Sequence, residues 1–142
     1  MIVFLNTEVK SNNIIPYKEL SSIECYDISF RNKALGAVGM LEKITNFIDA
    51  MSYEENKFLM VINDLDDAFM ALEDVEEINK NHQINLFTML IKQMIAVGHG
   101  VIYFTHKGSP TIPDILELNQ LDGFEIMEDE VKLYNRLISD IQ

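Results

Sequence analysis

Lys57-Phe58-Leu59-Met60-Val61-Ile62-Asn63-Asp64-Leu65-Asp66-Asp67 decides the fold. Five apolar residues in a row stop at a polar, acidic corner. Such a run reads as a strand buried on both faces, the signature of a parallel sheet covered by helices. Ligands of open α/β sheets bind outside the carboxyl ends of their strands, which here means the corner at Asn63, Asp64, Asp66 and Asp67.

A second run of the same kind, Val101-Ile102-Tyr103-Phe104, leaves through Thr105-His106-Lys107-Gly108-Ser109-Pro110. Between the two, Ala68 to Asn79 has helical character, and the polar stretch Asn79-Lys80-Asn81-His82-Gln83 reads as an interruption. A helix from Ile84 to Val97 follows, with Leu86, Phe87, Leu90, Ile91, Met94 and Ile95 at helical steps. Gly98 stands where a left-handed C-cap is expected.

Upstream, residues 2–5 read as a short strand, with Asn6 to Lys10 a polar exit, and Ile23 to Ile28 as a second strand. A helix from Asn32 to Met51 carries Leu35, Val38, Leu41, Ile44, Phe47, Ile48 and Met51 on one stripe. Gly36 and Gly39 within it suggest close packing on the sheet. Downstream, Pro113 opens a short helix over 114–118, Phe124 to Met127 is a strand, and Val131 to Ile141 fits helical spacing better than strand spacing. Strands alternating with helices imply an α/β architecture of three layers, a mostly parallel sheet flanked by helices.

Size and composition agree. The 142 residues make one domain, 1–142, and 48% apolar content is that of a globular fold. Cys25 stands alone, so no internal disulfide forms and a reducing compartment is expected. The opening Ile2-Val3-Phe4-Leu5 is too short, and lacks the basic flank, for a signal peptide, and no apolar run reaches the ~20 residues of a membrane span. A cytoplasmic location without membrane insertion is expected. With 23 acids against 11 Lys and Arg, the net charge is −12. That charge repels nucleic-acid phosphates and favours solubility or a basic protein partner.

Together the segments 58–67 and 96–109 resemble the RecA-type motor domain of the FtsK/SpoIIIE family, which includes DNA translocases and the ATPases of type VII secretion systems. That family's Walker B strand ends in Asp-Glu with a later Asp. On this resemblance Asn63 falls on the metal-ordering Asp, Asp64 on the catalytic Glu and Asp67 on the later Asp. Ala96-Val97-Gly98 precedes the next strand. Thr105 keeps its place in the sensor motif, while His106 replaces its Gln and Lys107 its Arg. The opening strand and the 32–51 helix fit more weakly. The resemblance implies a RecA-like P-loop NTPase core.

The departures are equally plain. No G-x-x-x-x-G-K-[ST] occurs, so the backbone cradle, the Lys for phosphates and the hydroxyl for Mg²⁺ are missing. Asn63 also removes a charge from the metal's surroundings. What remains is a degenerate or truncated domain, with no catalytic residues, no metal site and weak or no ATP/Mg²⁺ binding. Asn63, Asp64, Asp67, Thr105 and His106 would mark its vestigial nucleotide edge. Its expected role is docking a protein partner in a secretion or translocation machine. The alternative is a stand-alone acidic binding protein, such as an immunity protein or phage-encoded inhibitor, that covers a basic surface. A small hydrolase using Asp64 and His106 is the third reading, and no nucleophile or oxyanion motif accompanies those residues.

Other features have ordinary explanations. The spacing of Asp64, Asp66 and Asp67 lacks the Gly and distant Glu of an EF-hand, and a solvated turn with Asp67 capping the following helix accounts for it. His82, His99 and His106 have no partner at metal-ligand spacing. The methionines (Met40, Met51, Met60, Met70, Met89 and Met94 among them) fall mainly on apolar faces, where core filling explains them, with a Met-rich exposed groove for a partner helix as the alternative.

Overall fold

The computed structural model describes residues 2–7, 23–28, 35–63, 65, 69, 77–105, 113 and 116–141. Five strands form one sheet: β1 (Ile2–Thr7), β2 (Ile23–Ile28), β3 (Leu59–Asn63), β4 (Gly100–Phe104) and β5 (Phe124–Met127). Their order is β2-β1-β3-β4-β5, and all four pairings are parallel. This is a doubly wound order: the chain steps from β1 out to β2, then crosses back over β1 to β3. Its reversal point therefore lies between β1 and β3. The two runs 58–62 and 101–104 are adjacent and parallel, in the register Met60↔Val101 and Ile62↔Tyr103.

Three helices accompany the sheet among the described residues: α1 (Leu35–Met51), α2 (Glu77–Ala96) and α3 (Glu130–Ile141). Strand alternation sorts the core into two faces. Met60, Ile62, Val101 and Tyr103 share one face. They form a single apolar cluster with Leu41, Ile44 and Ile48 of α1 and with Phe87, Leu90, Ile91 and Met94 of α2. Val61, Ile102 and Phe104 point the other way and are equally buried, as are Leu133 and Leu137 of α3. Arg136 of α3 reaches Glu125 of β5, which pairs in register with Ile102, so α3 covers this second face. The sheet thus lies between helical layers, and burial on both faces is why its central strands carry no polar alternation. Each fully buried Leu, Ile, Val, Phe or Met contributes about 1.5–3 kcal/mol relative to exposure.

The polar stretch 79–83 does not interrupt a helix, because α2 runs unbroken from Glu77 to Ala96. The reason is a seam that begins at Gln83. Gln83, Phe87, Leu90, Ile91 and Met94 recur at three- and four-residue steps and all are buried. Asn81 and His82 face solvent. Packing of that seam outweighs the modest helix propensity of Asn and His. At its far end α2 closes as expected: Gly98 has φ +102°. Gly98 N–H donates to Ile95 C=O and His99 N–H to Met94 C=O, both at 3.0 Å, the paired bonds of a Schellman cap.

Several expectations shift. β1 extends to Thr7, so Asn6 and Thr7 belong to the strand rather than to its exit. A Cβ at Gly39 would meet nothing within 4 Å, so that glycine does not serve a close helix–sheet approach. Of the helix expected over 114–118, Pro113 is helical, Leu116 and Glu117 form a turn, and a 3-10 turn follows at Leu118–Gln120. α3 settles the choice at 131–141 in favour of helix. The expected helical start at Asn32, most of the segment 68–76 and the side chain of Cys25 lie outside what is described.

Candidate functional site

The carboxyl end of the sheet gathers the tips of β1, β3, β4 and β5. Asn63 ends β3 opposite Phe104 of β4, and Thr105 follows one step on. Thr105 is fully buried and its N–H donates to Met127 C=O at 3.0 Å, so the tip of β4 stays fastened to β5. The structure brings Asn63 and Thr105 to neighbouring strand ends. Asp64, Asp67 and His106, expected beside them, lie outside the described residues, as does the side chain of Asn63.

The chain leaving β3 is tied down by a residue that sequence reading treated only as core. Leu65 N–H donates to Tyr103 Oη at 2.7 Å in a buried site. Leu65 C=O accepts from Phe69 N–H at 3.0 Å, the four-residue spacing of a helical bond. A buried peptide N–H needs an acceptor, and a tyrosine one position from the strand's end supplies it. The hydroxyl in an otherwise hydrocarbon run, Val101-Ile102-Tyr103-Phe104, was the available signal.

β5 contributes acids to the same edge. Glu128 and Asp129 follow it directly and are exposed. Asp129 Oδ1 accepts from Val131 N–H at 2.8 Å and from Lys132 N–H at 3.1 Å, capping α3. A helix N-terminus ordinarily attracts anions, but here the protein's own carboxylate takes the N–H groups a phosphate would use. Asp64, Asp66 and Asp67 follow β3 in the chain, so β4 stands between two strands that each lead into acids. Asn6 and Thr7 end β1 across the reversal point from Asn63. Their signal was the same as at Asn63, an apolar strand that turns polar at its carboxyl end. Among the described residues, no three His, Cys, Asp or Glu side chains converge to hold a metal ion.

The opposite end of the sheet holds a buried histidine. His99 is 3% exposed and stacks on Phe58, with ring centroids 3.9 Å apart and planes inclined by 29°. Its Nδ1 accepts the Phe58 N–H at 3.3 Å, which assigns the neutral ring's proton to Nε2. Burial, and then the positive charge of Lys57, hold its pKa below the ordinary 6.5. The Ser52 backbone and the Glu54 carboxylate pull the other way, yet among the described residues no hydrogen-bond partner reaches Nε2. The Lys57 ammonium donates to Val97 C=O, its stem against Gly98. Ser52 Oγ accepts from Gln93 Nε2 at 3.2 Å, joining the end of α1 to α2. His99 lies at the amino end of β4, away from the strand tips, and this arrangement is structural.

Comparison with protein families, with curated proteins and with solved structures returns no match. No described helix is long and apolar enough to cross a membrane.

Proposed function

We propose that this chain is a non-catalytic binding domain that docks a basic protein partner at the carboxyl end of its sheet. In this reading it is a RecA-like, FtsK/SpoIIIE-type domain without its phosphate loop, serving a cytoplasmic secretion or translocation machine. One observation carries the reading. The parallel β3–β4 pair, the feature the resemblance requires, lies beside β5, which leads at its carboxyl end into the exposed Glu128 and Asp129, and the N-terminus of α3 is already filled by Asp129. A triphosphate would meet repulsion there, whereas Lys and Arg side chains would meet attraction. The −12 charge of the whole chain extends that field and raises association rates with a cationic surface.

Calorimetry with ATP and Mg²⁺ tests the nucleotide half of the reading. No saturable heat is expected, and micromolar binding would overturn it. The −12 charge equally favours the second reading, a stand-alone acidic protein that covers one basic partner, in the manner of an immunity protein or phage-encoded inhibitor. A stable one-to-one complex formed outside any larger assembly, with an on-rate that falls steeply with salt, would decide for that alternative.

A further inference from the structure

β5 ends the sheet, and its outer side pairs with no other described strand. In a parallel ladder, alternate residues turn their peptide groups toward a given neighbour. Val101 N–H donates to Gly123 C=O at 2.9 Å and Thr105 N–H to Met127 C=O at 3.0 Å. Residues 123, 125 and 127 therefore face β4, and Phe124, Ile126 and Glu128 face outward. Phe124 N–H is taken by Leu121 C=O at 3.1 Å. Among the described residues, none takes the Phe124 carbonyl, either peptide group of Ile126 or the Glu128 N–H along this edge. A cleft of about 650 Å³ wraps this edge, lined by Asn119, Lys132 and the strand from Phe124 to Met127 with Glu128 and Asp129.

We propose that β5 is a strand-addition site, taking an extended basic segment of a partner protein as a sixth strand. This rests on the docking reading and states how the partner is held. Four residues of added strand span roughly 13 Å at the rise of a β-strand, the length of β5 itself. Main-chain bonds to Ile126 and Glu128 supply affinity, and side-chain alternation supplies selectivity. On one face the added strand lies beside Phe124 and Ile126, both at least half-buried and apolar. On the other it lies beside Glu125 and Met127. An alternation of apolar and cationic residues matches both rows. Glu125, Glu128 and Asp129 line the cleft against Lys132, and Glu125 also engages Arg136 at 2.8 Å. A second copy of this chain is disfavoured by the same charges, because edge-to-edge pairing would set like acids across from one another.

The probe is an end-capped hexapeptide of alternating Lys and Val, added to the full chain and followed by amide NMR and hydrogen exchange. Saturable binding is expected, with protection concentrated at the Ile126 and Glu128 amides. The same peptide N-methylated at every residue keeps its charge but has no N–H to give the ladder on either edge, and should bind at least ten-fold more weakly. A Glu-Val hexapeptide should not bind. Equal binding of the N-methylated peptide would overturn the proposal, since charge alone would then suffice. So would protection of Ile126 and Glu128 through dimerisation of the free protein. Micromolar ATP binding would sink the docking reading yet leave the peptide result standing, so the two failures are distinguishable.

Discussion

The amino and carboxyl ends of β3 and β4 are built in opposite ways. At the amino end, His99, Phe58, Lys57 and Gly98 interlock. An imidazole accepts a main-chain N–H, an ammonium reaches a carbonyl at the end of α2, and a glycine makes room for the lysine stem. Its polar groups are turned inward, toward the backbone. At the carboxyl end the bond from Leu65 to Tyr103 holds the exit of β3, and Glu128 and Asp129 are exposed. The contrast separates two tasks performed by the same pair of strands. One end fixes where the strands sit, and the other leaves carboxylates exposed, which is what the proposed docking needs.

The largest expected effect tests the tie at the open end. Tyr103→Phe keeps the ring and strands the buried Leu65 N–H, at a cost of about 1–3 kcal/mol in urea unfolding. A change within error would show that this end needs no internal fastening. Gly98→Ala tests the closed end. Its φ of +102° and a Cβ 3.1 Å from Lys57 Cε make alanine strained, and a loss of about 1–2 kcal/mol is expected in the same measurement. Asp129→Ala removes the cap of α3 and should cost about 1 kcal/mol. Because it also strips a charge from the open end, it should raise the isoelectric point without disturbing His99. Arg136→Ala breaks an ion pair whose side chains are 39% and 45% exposed, and thermal melts should move by less than about 1 kcal/mol, vanishing in high salt.

A pH titration separates the two ends without regard to magnitude. His99 is held neutral in the folded protein, with a pKa below 6.5, so the unfolded chain takes up its proton first. Stability from this group is present above about pH 6.5 and is lost as pH falls from there toward the folded value. Protonation also requires Nδ1 to give up the Phe58 N–H. In His99→Gln the acid-side loss should be shallower, and the stability gap between the two proteins should narrow on acidification. Parallel curves for both proteins would remove His99 from the account of the closed end.

Much of this frame was legible in the chain. The uninterrupted runs 58–62 and 101–104 demanded cover on both faces, and that requirement led to a parallel sheet with helical layers. Gly98 announced the end of α2 because few residues other than glycine accept its backbone angles. What escaped was long-range. Nothing local distinguishes Gln83 as the start of a buried seam, so the polar stretch around it looked like a break. Strand order depends on crossovers that periodicity does not encode, and the reversal beside Asn6 and Thr7 came only with the assembled sheet. His99 seemed incidental because its meaning lies in Phe58, a residue far away in the chain. Of the five residues expected to share one edge, Asn63 and Thr105 stand at neighbouring strand ends, and Asp64, Asp67 and His106 lie outside the described residues.

The hydroxyl of Tyr103 binds a peptide group 38 positions earlier in the chain. During synthesis, then, the turn after β3 is made well before its acceptor exists. Until β4 has emerged and slid in beside β3, the Leu65 N–H must be satisfied by water. The exit of β3 is thus fastened in the same step that closes the middle of the sheet, and a chain halted before Tyr103 would carry Leu65 without the acceptor that holds it.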